Sequence, residues 1–161
     1  MPSDQLNDKQ SLTASIEDIV DYMLSTYEGL VLSENWGERA LFYNPGSKLP
    51  KGVYVLSFKE RDGENDRASE LNRGNLYRLN IGVGPKSFAA RFGSKPLRPS
   101  AGGVVETGHD FTQINTIMPH PVYGWMNWIG VINPTHETFD GLKQEIEGAV
   151  IIAKKKFQQG K

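Results

Sequence analysis

The segment LYRLNIGV, residues 76–83, has an apolar side chain at every second position. This alternation predicts a β-strand, because successive side chains of a strand point to opposite faces of its sheet. The apolar set that begins at Tyr77 is expected to face the core, whereas Arg78 and Asn80 are expected to face the other side. A strand needs hydrogen-bonded neighbours, so the chain is predicted to fold around a β-sheet.

Other segments predict the neighbours of this strand. Three β-type segments follow one another with turn residues between them, which favours an antiparallel meander. An apolar strand is predicted near the C-terminus, after a mixed segment that supplies one more strand. The predicted strands are LVLSENW (30–36), RALFYN (39–44), VYVLSFKE (53–60) and WMNWIGVIN (125–133).

Three segments have helical spacing. A capping-box-like start at Ser15 opens the first, PKSFAARF has proline at its first position, and the last runs from about Thr135 or Thr138 to Phe157. The predicted fold class is α+β, an antiparallel sheet with helices packed on it in the order α-β-β-β-β-α-β-β-α. We expect one domain over residues 15–158 after a flexible N-terminal tail, residues 1–14, since 161 residues suit a single core.

Composition excludes several classes of function. Lys and Arg number 18 against 19 Asp and Glu, so the net charge of −1 gives no reason to expect nucleic acid or an anionic membrane as a partner. The absence of cysteine excludes disulfides, thiolate zinc sites and thiol nucleophiles. No apolar run approaches the ~20 residues of a membrane helix, and the polar N-terminus does not resemble a signal peptide. We predict a cytoplasmic protein.

Two segments resemble ligand-binding loops but lack residues that such loops require. RLNIGVGPKSF (78–88) has Gly-x-Gly between a strand and a helix, yet it lacks the third glycine and the Gly-Lys-Ser/Thr order of phosphate loops, so we interpret it as a corner. Asp62, Glu64 and Asp66 have calcium-loop spacing, but Arg67 occupies the position of the required glycine. The three histidines show no metal-ligand spacing. We predict no cofactor and no metal site.

Two features remain as candidate walls of a binding site. An arginine in mid-strand such as Arg78 has to reach water, pair with a carboxylate such as Asp66 or Glu70, or meet an anionic ligand. In MPHPVYGWMNW, two prolines restrict the backbone around His120, and Tyr123 follows closely. The same segment also suits a proline-rich turn whose aromatic side chains pack on the core.

Several segments also match a known family in order. They are NWGERALFYNP, DRASELNRGNLYRLNIGVGPKSFAARFG, DFTQINTIMPHPVYGWMNWIGVINP and TFDGLK. With them, residues 16–157 resemble the bacterial domain-of-unknown-function family 6194, which is similar in turn to the YjbR/MmcQ-like proteins, small α+β domains suggested to bind DNA. The resemblance implies a fold and no activity. The positions that match the motifs are Trp36, Asp66, Arg67, Arg78, Asn80, His120, Pro121, Tyr123 and Gly124.

Four functional hypotheses follow, one of which is a structural or oligomerising module that exposes the strand 125–133 or the loop 94–108 as an interface. The leading one is a groove that binds a small molecule or a protein, with Asp66 and Arg67 as further candidates and a lining of Trp36, Arg78, Asn80, His120 and Tyr123. The second is an enzyme that uses His120 as a general base with Tyr123 or Asp110 nearby. The third is a nucleic-acid binder with one basic surface made of Arg39, Arg67, Arg73, Arg78, Arg91 and Arg98. Ligand identity and oligomeric state stay open.

Overall fold

The computed structural model describes residues 12–35, 38–50 and 52–159. Trp36 and residues 1–11 of the predicted tail therefore lie outside the described residues. Ala14, which the sequence analysis placed in the tail, is fully buried, and its N–H donates to the carbonyl of Pro134. The regular elements are α1 (Ile16–Thr26), β1 (Leu30–Asn35), β2 (Glu38–Tyr43), β3 (Val53–Lys59), β4 (Arg78–Gly82), α2 (Gly84–Phe92), β5 (Met118–Pro119), β6 (Trp128–Ile132), α3 (His136–Gly141) and α4 (Lys143–Gln159).

The six strands form one antiparallel sheet with the order β1-β2-β3-β4-β6-β5. The predicted α+β class and the predicted order of elements are confirmed. The meander holds from β1 to β4, after which β6 pairs with β4 and β5 lies at the edge. The prediction of a single C-terminal helix is wrong, because the chain forms two helices there, with the buried Leu142 at their junction.

One face of the sheet packs against helices. The predicted apolar side of the fourth strand, Tyr77, Leu79, Ile81 and Val83, belongs to this core. The capping box of α1 is present, since the side chains and backbone N–H groups of Ser15 and Asp18 are hydrogen-bonded reciprocally. The apolar stripe of α4 closes the core with Ile146, Ala149, Val150, Ala153 and Phe157.

The stretch 78–88 forms the predicted corner between β4 and α2. Gly84 has φ +87°, and a Cβ atom there would lie 2.2 Å from Cδ1 of Ile152. The glycine therefore allows both the turn and the close approach of α4. Val83 is the N-cap of α2.

A β-bulge in β3 determines which side chains share the second face of the sheet. Leu41 pairs with Leu56 and Phe42 pairs with Tyr54, so Val55 is an extra residue between the two pairs. A bulge shifts the alternation of the strand by one position. As a result, Tyr54 lies on the same face as Ser57.

Candidate functional site

The second face of the sheet contains a cluster of buried polar side chains. Its members are Ser57, Ser69, Arg78, Asn80 and His120, all of which are buried. This face is covered in part by the segment that follows α2, whose Val105 and Phe111 pack with Met118. Strand β4 is therefore buried on both faces, and Arg78 does not face open solvent.

Arg78 is the centre of this cluster. Its Nε donates to Oδ1 of Asn80 at 2.6 Å, and its Nη1 donates to Oδ1 of Asp66 at 3.0 Å and to Oγ of Ser69 at 2.9 Å. Nη2 forms a second bond to the Asp66 carboxylate and lies 3.1 Å from Nε2 of His120. Of the three outcomes considered for Arg78, the structure shows the ion pair, and Asp66 is the partner.

A tight turn presents Asp66 to the arginine. The backbone groups of Gly63 and Asp66 bond to each other in both directions, at 3.0 and 3.3 Å. Asp62 closes the base of the loop by accepting from the N–H of Leu71 at 2.8 Å. Burial by itself raises the pKa of Asp66, but the hydrogen bonds and the charge of Arg78 outweigh it and hold that pKa below the usual value.

His120 is fixed by contacts to both ring nitrogens. The backbone N–H groups of Val122 and Tyr123 each donate to Nδ1 at 3.0 Å. Burial, followed by the charge of Arg78, holds the pKa of His120 well below 6.5. A neutral imidazole has one N–H and one acceptor nitrogen. Because Nδ1 accepts the two backbone N–H groups, we assign the ring proton to Nε2, so its 3.1 Å contact with Nη2 of Arg78 joins two donors and is not a hydrogen bond. Oδ2 of Asp66 lies 3.9 Å from Nε2.

A pocket of about 480 Å³ lies above this cluster. Strands β2, β3 and β6, the turn 63–66 and the loop 120–126 surround it. Polar groups and aromatic rings both contribute to its walls. Its lining is Glu38, Tyr54, Ser57, Lys59, Gly63, Glu64, Asn65, Asp66, His120, Val122, Tyr123, Met126 and Trp128.

Two aromatic rings form one side of the pocket. The rings of Tyr54 and Trp128 meet at 79° with their centroids 6.3 Å apart. Trp128 pairs with Gly82 across the sheet, and a Cβ atom on Gly82 would lie 2.9 Å from the indole. Because Gly82 has no side chain, the indole can lie directly over the neighbouring strand.

The structure separates the predicted site residues into three groups. Asp66, His120 and Tyr123 line the pocket, whereas Arg78 and Asn80 lie beneath it and do not line it. Arg67 is exposed and is not among the lining residues. Trp36 lies outside the described residues, two positions before Glu38.

Sequence analysis predicted three of the thirteen lining residues, and Glu38, Tyr54, Lys59 and Trp128 are among those it missed. Lys59 and Glu38 are cross-strand partners, with Nζ and Oε2 3.9 Å apart. Tyr54 is in a predicted strand, but only the bulge places it beside Ser57. Trp128 was recognised only as part of an aromatic segment.

The contacts of His120 do not suit a general base. The lone pair of Nδ1 is taken by two backbone N–H groups, and Nε2 carries the proton in our assignment. Tyr123 packs on the imidazole, with the ring centroids 5.1 Å apart. Asp110 accepts from the N–H and the hydroxyl of Thr112 and does not line the pocket.

The six arginines of the nucleic-acid hypothesis do not share one free surface. Arg39 pairs with Glu17 and Glu60, and Arg91 pairs with Glu145. Arg73 donates to the carbonyls of Ser69, Glu70 and Thr112. Arg78 pairs with Asp66, and the guanidinium of Arg98 lies over the Trp125 ring.

The described part of the chain lacks two kinds of feature. No three of its His, Asp or Glu side chains come together in a way that could hold a metal ion. None of its helices has both the length and the apolar character needed to cross a membrane.

Fold and pocket together define an α+β domain with an amphiphilic pocket on the sheet face opposite the main helical core. The model of DUF6194, a family of unknown function, matches residues 14–161, and the chain belongs to this family. No curated protein and no solved structure matches the chain. The likeness to YjbR/MmcQ-like proteins stays a prediction.

Proposed function

We propose that the protein binds a small ligand in the pocket between β3, the turn 63–66 and the loop 120–126. The ligand would contact the pocket lining, while Arg78 and Asn80 would act from below by holding that lining in place. This differs from the groove expected from sequence, in which Arg78 supplied a charge directly to the ligand.

The observation that carries the proposal is that one buried side chain connects two walls of the pocket. Arg78 contacts Asp66 in the turn 63–66 and His120 in the loop 120–126. A buried ion pair gives little net stability, because desolvation of both charges offsets their attraction. The pair does fix the separation of the two loops, and a preformed pocket loses less entropy when a ligand binds.

The lining offers the mixture of groups that small-molecule sites use. Oγ of Ser57 accepts from Asn80 at 3.2 Å, so the hydroxyl proton of Ser57 can be donated to a ligand. Lys59 and Asn65 add further donors, and Tyr123 and Met126 form half-exposed apolar walls. A volume of about 480 Å³ lies within the range of about 300–1,000 Å³ for such sites.

A fragment screen monitored by NMR tests this proposal. The ¹⁵N-labelled protein would be titrated with fragments divided evenly among cationic, anionic and neutral compounds. We expect saturable shifts confined to the amides of the pocket and the indole N–H of Trp128. Shifts that map elsewhere on the protein, or no saturable shifts with any class, would contradict the proposal.

Two variants give the screen a matched comparison. Tyr123→Ala removes a half-exposed wall of the pocket and is expected to weaken every fragment that binds there. Leu97→Ala removes a side chain that is 89% exposed and does not line the pocket, so affinities should stay unchanged. Equal effects of the two variants would count against the pocket.

A further inference from the structure

The charges and rings of the pocket indicate the class of its ligand, and this inference rests on the proposed function. We propose that the ligand is a small organic cation, an amine or a quaternary ammonium compound. Its cationic group would lie between the rings of Tyr54 and Trp128, near the glutamates of the pocket rim.

The first observation is the angle between the two rings. Tyr54 and Trp128 are nearly perpendicular, at 79°, and both line the pocket. Aromatic faces carry negative potential, and two faces at a right angle can contact the same cation from two sides. Cages of this kind recognise ammonium groups, and each ring contact contributes about 0.5–2 kcal/mol, depending on desolvation.

The second observation is the excess of negative charge in and beneath the pocket. Three carboxylates line it, from Glu38, Glu64 and Asp66, whereas Lys59 is the one cation among the lining residues described. Arg78 neutralises Asp66 from below, and Lys59 lies 3.9 Å from Glu38. Within the described residues Glu64 has no ion-pair partner, so one negative charge is left for a ligand.

The protein uses the same contact elsewhere in its own fold. The guanidinium of Arg98 lies 4.8 Å from the centre of the Trp125 ring, and Nζ of Lys143 lies 4.5 Å from that of Tyr22. Trp125 does not line the pocket. Its indole signal is therefore an internal reference for binding at Trp128.

A pair of probes with the same shape tests the charge requirement. Choline and 3,3-dimethylbutan-1-ol differ in that a quaternary nitrogen replaces a carbon, so their apolar contacts are alike. Each would be titrated into ¹⁵N-labelled protein while the indole N–H signals of Trp128 and Trp125 are followed. We expect choline to shift Trp128 but not Trp125, with an affinity about tenfold above that of the alcohol, which corresponds to about 1.4 kcal/mol.

Two glutamate variants locate the charge. Glu64→Gln is expected to weaken choline several-fold and to leave the alcohol unchanged, because the variant keeps the shape of the side chain. Glu147→Gln is the control, since Glu147 is an exposed residue of α4, on the other side of the sheet.

The outcomes separate this inference from the proposed function. Equal affinity of choline and the alcohol, no saturable choline shift at Trp128, or no effect of Glu64→Gln would each overturn the assignment of a cationic ligand. If neutral or anionic fragments still shift the pocket signals in those cases, small-ligand binding stands and its charge class changes. If no fragment of any class shifts them, both proposals fail.

Discussion

Nη2 of Arg78 lies 3.1 Å from Nε2 of His120, so a guanidinium and an imidazole are in contact beneath the pocket. The opposite nitrogen of the ring accepts two backbone N–H groups. A second ring proton would have to lie on Nδ1, where both neighbours are backbone N–H donors, so it would have no acceptor. This arrangement keeps His120 neutral and makes it a fixed wall of the pocket.

The first prediction concerns the tautomer of His120. We expect the ring to stay neutral, with its proton on Nε2, as the pH falls through 6.5, because burial and Arg78 both lower the pKa of this group. Long-range ¹H–¹⁵N correlation spectra report the state of each ring nitrogen. His136, whose side chain is partly exposed, gives a reference ring in the same spectra. A protonated Nδ1, or a midpoint near 6.5, would contradict the assignment.

The second prediction is a loss of stability in mild acid. The pKa of His120 is lower in the folded protein than its ordinary value of 6.5. The unfolded chain therefore binds more protons below that value, and the free energy of unfolding falls as pH drops through 6.5 toward the folded pKa. The slope reaches about 1.4 kcal/mol per pH unit. Urea unfolding at several pH values measures it.

Two variants identify the group responsible for this loss. His120→Asn cannot titrate, so the decline that begins below pH 6.5 should disappear, whereas His136→Asn should retain it. A separate decline at lower pH should remain in both variants. This second decline comes from Asp66. Its lowered pKa contributes stability above 3.8, the pKa of the carboxyl in the unfolded chain, and this stability is lost as pH falls through the lower pKa of the folded protein. An unchanged profile in His120→Asn would refute the role of this histidine.

The third prediction concerns the buried ion pair. Arg78→Met leaves the Asp66 carboxylate without its main partner, and we expect a loss of about 3–5 kcal/mol in the free energy of unfolding. Arg39→Met is the control, because Arg39 pairs with the exposed Glu17 and should change stability by no more than about 1 kcal/mol. Chemical denaturation of both variants provides the comparison.

A second substitution separates the charge effect from lost packing. The double variant Arg78→Met with Asp66→Asn removes the uncompensated carboxylate, so it should recover about 1–3 kcal/mol relative to Arg78→Met alone. If both variants were equally unstable, the loss would come from packing and not from a buried unpaired charge.

Local patterns were enough to predict β4 and to include the ion pair with Asp66 among the outcomes considered for Arg78. Alternation assigned Leu79 and Ile81 to the core, and the short list of nearby carboxylates included Asp66. The burial of Arg78 was not predicted, because the segment that covers the second face has no periodicity of its own. Burial there depends on Val105 and Phe111 contacting β5, which is a long-range contact.

The sequence did not predict the aromatic wall of Tyr54 and Trp128 because both residues reach the pocket through strand pairing. Tyr54 joins the pocket face only because Val55 forms a bulge, and the bulge is defined by pairing with β2. Trp128 joins it only because β6 lies next to β4, across a connection that includes α2 and β5. Neither relationship has a signature in the spacing of nearby residues.

The fourth prediction tests how Gly82 supports this wall. A methyl group at Gly82 would lie 2.9 Å from Cε2 and Cζ2 of Trp128, so Gly82→Ala must push the indole away from the strand. We expect a loss of about 1–3 kcal/mol in the free energy of unfolding and a shifted Trp128 indole signal. Gly148→Ala in α4 meets no side chain closer than 4.0 Å and should be neutral or stabilising, since alanine favours helix.

Because the indole also forms the perpendicular wall with Tyr54, Gly82→Ala should weaken choline more than its neutral isostere. An unchanged Trp128 signal would show that the strand, and not the indole, moves to admit the methyl group.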